Sequence, residues 1–153
     1  MARLEDIPEP TRTAVRDIAC PQFDTTPWVG GPPLAIRRVA IVSSAALIGA
    51  GHAPFPVGSG EAREVPLDRG PGALLTSHVS INFDRSGFQR DPNVVFPLER
   101  LDELAKAGLI GSVAARHFTV MGSTDPVAMQ EAVAVMAQAL HADKVDAVLL
   151  APV

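Results

Sequence analysis

The sequence predicts an α/β fold with three layers, in which a parallel or mostly parallel sheet is flanked by helices. Residues 39–42 form a continuous apolar run, which is typical of a parallel strand buried on both faces. Candidate strands and helices then alternate as far as a second such run at residues 147–150. We therefore predict an α/β domain over residues 34–153, incomplete at its C-terminus. A Pro-rich arm over residues 1–33 is expected to wrap over this domain, anchored by Trp28.

The first half of the domain is predicted to alternate strands with loops. A strand is expected over residues 34–44, and the small residues of 43–51 follow it where α/β sheets place a ligand-binding loop. Residues 52–72 are rich in Gly and Pro and indicate a long loop. Apolar and polar residues alternate towards the end of 73–83, which predicts a second strand, and residues 84–94 predict a polar turn.

A helix over residues 96–108 is the clearest prediction in the second half of the domain. Pro97 suits a first helical turn, leucines recur on one face, and Gly108 can adopt the left-handed conformation that ends helices. An extended segment is expected from Leu109 onward. Residues 117–121 then predict the third strand, or the edge of one.

The last two predicted elements are a helix and a strand. Thr124 or Asp125 can cap the helix, and Pro126 suits its first position. Helical spacing of apolar residues runs to about His141, and residues 145–150 predict the fourth strand. Because this strand is apolar, we expect it to lie in the core, with an active-site loop at its carboxyl end.

Composition excludes several classes of protein. Hydrophobic residues make up 47% of the 153 residues and charged residues 20%, which supports a packed core. The net charge is −4, aromatic residues are few and no dense Lys/Arg stripe occurs, so we expect no nucleic-acid partner. No apolar stretch is long enough for a membrane span and the N-terminus lacks a signal peptide pattern, so we expect a cytoplasmic protein without a membrane partner.

The cysteine and histidine patterns predict no metal site and no resident cofactor. Cys20 is the single cysteine, so an intramolecular disulfide is excluded, and we interpret it as a structural thiol. The four histidines lack the spacing of common zinc motifs. The small residues of 43–51 match neither phosphate-binding fingerprint, so they favour a tight loop over a phosphate site.

Polar residues beside the predicted strands are the candidates for chemistry. We predict catalytic roles for His78, Asp84 and His117, and substrate binding by Ser43, Ser44, Ser80 and Asn93. These assignments follow from placement at strand ends and in the polar loop. Alternatively, each histidine is structural, and the charged loop is a solvated turn that is held by local ion pairs.

Five segments together resemble one known family, the selenoprotein B or component B relatives of glycine, sarcosine, betaine and D-proline reductases. The resemblance runs from about Val39 onward. It is carried by HVSINFD at 78–84, DPNVVFPLERL at 91–101, GLIG at 108–111, HF and MG within 117–122, and DKVDAVLL at 143–150.

The resemblance implies an oxidoreductase that cleaves a C–N bond reductively. In that family a selenocysteine or cysteine just after the last strand attacks a substrate carbon and displaces an amine. The implied partners are a small amine or amino-acid-like substrate, a pyruvoyl-bearing subunit that activates it as a Schiff base, and a selenol or thiol carrier protein. This sequence departs from the pattern, because no cysteine follows Val153 and Cys20 lies outside the matched segments. We therefore hypothesise truncation at an in-frame selenocysteine codon, which leaves the chain without its redox-active residue.

Two other functions remain open at this stage. The chain could be a non-catalytic binding or subunit-interaction domain, which predicts a genuine stop codon and a well-packed last strand. It could also be an unrelated small-molecule α/β enzyme, which predicts that His78, Asp84 and His117 converge in one pocket.

Overall fold

The central strand of the computed structural model is β1 (Arg38–Ser43), and the structure describes residues 3–17, 22, 24–26, 28–80 and 85–153. The other strands are β2 (Leu47–Gly49), β3 (Ala62–Glu64), β4 (Leu74–Thr76), β5 (Ser112–Val113), β6 (Phe118–Val120) and β7 (Ala147–Ala151). The helices are α1 (Thr11–Arg16), α2 (Arg85–Arg90), α3 (Leu98–Lys106) and α4 (Gln130–Ala142), and short 3-10 turns occur at Leu4–Asp6, Leu34–Ile36, Pro71–Ala73, Pro92–Val94 and Pro126–Met129.

Every pairing that β1 makes is parallel, which confirms the mostly parallel sheet. On one side β1 pairs with β5 near its start and with β6 near its end, and on the other side it pairs with β7 along Val39–Ser43. β3 joins the sheet antiparallel to β6, and β2 and β4 form a separate antiparallel pair. The carboxyl ends of β1, β6 and β7 therefore lie at the same edge of the sheet.

Helices cover both faces of β1, which confirms the three-layer prediction. Val39 and Ile41 pack against Phe88 of α2 and Leu101 of α3 on one face. Ala40 and Val42 pack on the other face in a cluster that includes Leu140 of α4. All four β1 residues are at most 8% exposed, as an apolar run buried on both faces requires.

The local signals that predicted the two long helices are confirmed. Gly108 adopts the left-handed conformation, with φ of +71°, two residues after α3 ends. The Asp125 carboxylate accepts a hydrogen bond from the backbone N–H of Val127, and so caps the 3-10 turn that leads into α4.

Several predicted bounds are wrong. The first strand begins at Arg38 rather than at 34, and the second ends at Thr76, because residues 77–80 leave the β2–β4 pair. Residues 81–84, which include Asp84, lie outside the described residues, as does Cys20. The predicted polar turn contains helix α2, because Phe88 packs into the core and orders the helix that carries it. β2 and β3 occupy segments that were predicted as loops, and both are short strands whose partners are distant in sequence.

Two expectations about burial are also wrong. β7 pairs with β1 alone among the described strands, so it forms an edge, and Leu150 is 69% exposed rather than in the core. Trp28 is 83% exposed and does not anchor the arm. Within the described part of the chain, no helix is both long and apolar enough to span a membrane.

Candidate functional site

Ser44 ties together the carboxyl ends of three strands. Its backbone N–H donates to the carbonyl of Ala151, the last residue of β7 (3.1 Å), and its own carbonyl accepts from the N–H of Gly122 after β6 (3.0 Å). Its hydroxyl oxygen Oγ accepts from the N–H of Val153 (2.8 Å). Parallel α/β sheets place binding and catalytic groups at this edge, so Ser44 marks the candidate site.

Gly122 approaches Ser44 too closely for any larger residue. A Cβ atom built on Gly122 would lie 2.9 Å from the Cβ, Oγ and carbonyl oxygen of Ser44. Real Cβ atoms do not tolerate such contacts, so a side chain would force the ends of β1 and β6 apart. Gly122 lies in one of the segments that carry the family resemblance, but it was not predicted to be a site residue. A glycine directly after a predicted strand is the signal that could have identified it.

Ser43 lies just inside this edge and is completely buried. Its hydroxyl donates to the carbonyl of Val95 (2.7 Å) and accepts from the N–H of Ala45 (3.3 Å). These contacts fix the segment before α3 against the end of β1. The hydroxyl that was predicted to bind substrate is therefore engaged within the protein.

The turn after β1 carries an unusual backbone conformation. Ala46 is completely buried and has a φ of +51°, a left-handed conformation that costs a non-glycine residue on the order of 1 kcal/mol. Its N–H donates to the carbonyl of Val120 and its carbonyl accepts from the N–H of Ser77. These bonds hold the strained turn and bring the segment after β4 beside the carboxyl end of β1.

His78 lies in that segment and is buried, at 5% exposure. Its Nδ1 accepts a hydrogen bond from the N–H of Ser80 (3.2 Å), and its carbonyl accepts from the Arg85 guanidinium (2.5 Å). Burial, and then the positive charge of Arg85, lowers the pKa of His78 below its usual value. In the neutral ring, the hydrogen bond from Ser80 to Nδ1 places the proton on Nε2.

His117 lies in the core instead. It is 1% exposed, its Nδ1 accepts from the backbone N–H of Ile41 (2.9 Å), and its ring packs edge-on against Phe96 with ring centres 5.4 Å apart. Burial lowers the pKa of His117 to about 4. These contacts give His117 a structural role in joining β1 to the segment before β6, and its predicted catalytic role is untested.

Asn93 caps α3. Its side-chain amide donates to the carboxylates of Asp91 and Glu99 (both 2.8 Å), and its carbonyl oxygen Oδ1 accepts from the N–H of Glu99 (3.2 Å). The N–H groups of Asn93 hold the pKa of Asp91 below its usual value. All of the polar side-chain atoms of Asn93 thus have local partners, and its predicted role in substrate binding stays a prediction.

The structure brings some of the predicted residues together and separates others. Ser43, Ser44 and His78 lie around the turn after β1, with Ser80 held to the His78 ring. His117 lies inside the core and Asn93 at the start of α3. The prediction missed Thr124, whose buried Oγ1 has no hydrogen-bond partner among the described residues and follows Gly122 by two positions.

Two open grooves lie elsewhere on the surface. One of about 690 Å³ runs between β3 and α4, and another of about 650 Å³ runs beside β7. Neither is lined by His78 or His117, so neither is a pocket in which the predicted catalytic histidines converge. The described ranges contain no group of three or more His, Cys, Asp or Glu side chains that could hold a metal ion.

Comparison with known proteins identifies the family. Neither a search of curated proteins nor a search of solved structures gave a significant match. The model of the family described as glycine/sarcosine/betaine reductase selenoprotein B matches residues 72–153, more than half of the chain. The match covers β4 through β7 and leaves out residues 39–71, which the sequence analysis also assigned to the resemblance. On this match, the chain belongs to the glycine/sarcosine/betaine reductase selenoprotein B family.

Proposed function

We propose that this chain is the scaffold of a component B-type reductase subunit that cleaves a C–N bond of a small amine or amino-acid-like substrate. Glycine, sarcosine, betaine and D-proline define the substrate class. Family membership supports the reductase assignment. The position of the site is supported by the junction at Ser44. At this residue, which follows β1, hydrogen bonds join the ends of β6 and β7 to the end of β1.

The nucleophile in this proposal is a selenolate or thiolate on a residue just after Val153. Its electron pair forms a bond to the substrate carbon, and the C–N bond breaks with its electrons leaving on the amine, which takes up a proton. A carrier protein with two thiols, or a selenol and a thiol, then supplies two electrons. The bond between the substrate carbon and the selenium or sulfur breaks, the carbon takes up a proton, the nucleophile leaves as the selenolate or thiolate, and the carrier is oxidised to a disulfide or selenosulfide. A pyruvoyl-bearing subunit that activates the substrate completes the proposed partners.

Ser44 acts in this proposal as a positioning residue. Its Oγ holds the N–H of Val153, so the direction in which the backbone leaves β7 is fixed relative to Gly122 and β6.

His78 is the proposed acid–base or positioning group among the described residues. It is buried beside the turn after β1, burial lowers its pKa, and its Nδ1 accepts the N–H of Ser80. A neutral imidazole can donate a hydrogen bond to a substrate oxygen without attracting a proton from the leaving amine. Asp84, which lies outside the described residues, stays a predicted catalytic residue, and Ser80 stays a predicted substrate-binding residue.

The proposed function is tested with the protein purified together with its natural partners through a tag on its natural gene. The preparation receives glycine, sarcosine, betaine or D-proline together with a dithiol, and mass spectrometry measures the released amine or, for D-proline, the opened ring. We expect turnover of at least one substrate and its loss after alkylation with iodoacetamide. If no substrate turns over while the partners remain bound, the chain is instead a non-catalytic subunit-interaction domain.

A further inference from the structure

We propose that the groove between β3 and α4 binds an extended, basic segment of a partner protein, which pairs with the outer edge of β3. By the β3–α4 groove we mean the open groove of about 690 Å³ between these two elements. Its lining includes the apolar side chains of Ala62, Phe118, Ala132, Val135 and Met136. The proposal does not depend on the reductase assignment, because none of the residues at the Ser44 junction lines this groove.

The charged residues of the β3–α4 groove are mostly acidic. Among the described residues that line it, Glu61, Glu64 and Glu131 are acidic and Arg116 is basic, which gives the lining a net charge of −2. The Arg116 guanidinium donates to both carboxylate oxygens of Asp143 (2.6 and 2.8 Å), so its positive charge is already matched. A ligand in the groove therefore meets an excess of negative charge.

Two of the three acids are available to such a ligand. Glu61 forms an ion pair with Arg63 (2.7 Å). Glu64 on β3 and Glu131 on α4 are exposed, and neither has an ion-pair partner in the described part of the chain. Because they belong to the two opposite walls, a basic segment between the walls can bind a carboxylate on each side.

The outer edge of β3 leaves backbone groups for pairing. The N–H of Val65 donates to the carbonyl of His117 (2.9 Å), which turns Val65 towards the β6 side. By alternation Arg63 also faces β6, whereas the N–H and C=O groups of Ala62 and Glu64 point outward. None of the described strands pairs with this edge, and β6 and β1 separate it from β7. A strand added here is held by main-chain hydrogen bonds while its alternate side chains enter the groove.

The two walls of the groove meet at one end. Gly60, two residues before β3, lies so close to Ala128 that a Cβ on Gly60 would overlap the carbonyl oxygen of Ala128. Farther along, Val135 is 62% exposed and lines the groove together with the short side chain of Ala132. Exposed apolar side chains beside available carboxylates favour a ligand that carries both apolar and basic groups.

The sign of the charge selects a basic segment over other occupants. The chain has a net charge of −4, so a second copy of it would add negative charge to the groove. Nucleic acids and anionic lipid surfaces would be repelled in the same way. A partner strand whose groove-facing residues alternate between basic and apolar instead matches the carboxylates and the apolar lining together.

Fluorescence anisotropy tests this complementarity. The probe is a fluorescein-labelled peptide of two Lys-Thr-Val-Thr repeats, whose lysines and valines share one face of a strand. We expect saturable binding both to the 153-residue chain and to the product of its natural gene, weaker binding as salt is added, and none of a peptide with Glu in place of Lys. No saturable binding overturns the proposal. Binding to the 153-residue chain alone also overturns it, because other residues would then fill the groove.

Charge variants locate the bound peptide. Glu64→Gln combined with Glu131→Gln should raise its dissociation constant about three- to tenfold. Asp102→Asn combined with Glu103→Gln removes the same charge from α3, on the opposite face of the sheet, and should change the constant less than about twofold. Equal effects of the two double variants, with both folded by circular dichroism, contradict the proposal.

Amide exchange followed by NMR tests the pairing with β3 and needs no variant. At saturating peptide, the N–H groups of Ala62 and Glu64 should exchange at least about fivefold more slowly. Those of Arg63 and Val65, which already face β6, should change little. Unchanged exchange at Ala62 and Glu64 would show that the peptide does not add to β3, and the proposal would be wrong.

Discussion

The imidazole of His117 accepts the backbone N–H of Ile41, which a neighbouring strand would otherwise accept. On the side of β1 that faces β5 and β6, β5 ends at Val113 and β6 begins at Phe118, which leaves the N–H of Ile41 between the two. Nδ1 of His117 accepts that N–H at 2.9 Å. A side chain thus bridges a gap in the sheet, and the predictions about stability begin from this contact.

Removal of the His117 ring should destabilise the fold. His117→Ala leaves a buried N–H without a partner and opens a cavity beside Phe96, so the free energy of unfolding should fall by about 2–4 kcal/mol. His141→Ala, at the exposed end of α4, is the control and should change stability by less than about 0.5 kcal/mol. Urea titrations followed by circular dichroism measure both. If His117→Ala lowers the free energy of unfolding no more than His141→Ala does, the hydrogen bond from Ile41 to His117 does not stabilise the fold.

The same histidine should make stability depend on pH. The pKa of His117 is about 4 in the folded protein and about 6.5 when exposed, so the unfolded state binds more protons between these values. Stability should therefore be full above about pH 6.5 and fall by about 2–4 kcal/mol as the pH decreases towards 4. Burial lowers the pKa of His78 as well, so His78 adds loss in the same direction.

Urea titrations at pH 7 and pH 4.5 measure this dependence. His117→Gln, which keeps a hydrogen-bond acceptor but does not titrate, should lose a large part of the difference between the two pH values. The pKa values of the Asp91 and Asp143 carboxylates are lowered, so these groups lose their contribution to stability mainly below pH 4.5. They therefore have little effect on the difference in stability between pH 7 and pH 4.5. An unchanged pH dependence in His117→Gln would assign the effect to other groups.

Gly122→Ala should separate the strand ends at the candidate site. The added Cβ would lie 2.9 Å from Ser44, so we expect a loss of about 1–3 kcal/mol of stability. Gly72→Ala is the matched control, because a Cβ there meets nothing within 4 Å and the backbone has no positive φ. Thermal melts of the two variants compare the same chemical change in both settings. Similar melting temperatures would mean that the contact between Gly122 and Ser44 relaxes without cost.

Ser44→Ala should loosen Val153, two residues after the end of β7, while leaving the fold intact. The variant removes the Oγ that accepts the N–H of Val153, so exchange of that amide should accelerate about two- to tenfold. Ser112→Ala, near the amino end of β1, should leave it unchanged. Hydrogen exchange followed by NMR measures this directly. An unaltered Val153 amide in Ser44→Ala would contradict the positioning role of Ser44.

The parts of the fold that the sequence predicted are those set by neighbouring residues along the chain. The apolar run of β1, Gly108 after α3 and the Asp125 cap before α4 each carry their own local signal, and each was confirmed. The three-layer arrangement followed from the alternation of strands and helices. Family membership followed from five short segments taken together, all of which lie within the matched residues 72–153.

The parts that were missed depend on contacts between distant residues. β3 is a strand because Ala62–Glu64 pairs with β6, more than 50 residues away, and α2 is ordered by Phe88 in the core. The apolar side chains of β7 suggested a core strand, but the pairing pattern makes it an edge. Ser44 and Asn93 were both predicted to bind substrate because both are polar. The structure places Ser44 at the junction of three strands, whereas Asn93 caps a helix, and the sequence did not distinguish these settings.

The most direct test of the proposed reductase scaffold is the identity of the residue that would follow Val153. The protein is expressed from its natural gene in a host that inserts selenocysteine, alkylated with iodoacetamide and cut with trypsin after Lys144. The peptide that begins at Val145 is then sequenced by mass spectrometry. This peptide is expected to continue past Val153 into an alkylated selenocysteine or cysteine. A peptide that ends at Val153, from a protein that still turns over substrate, would contradict the account.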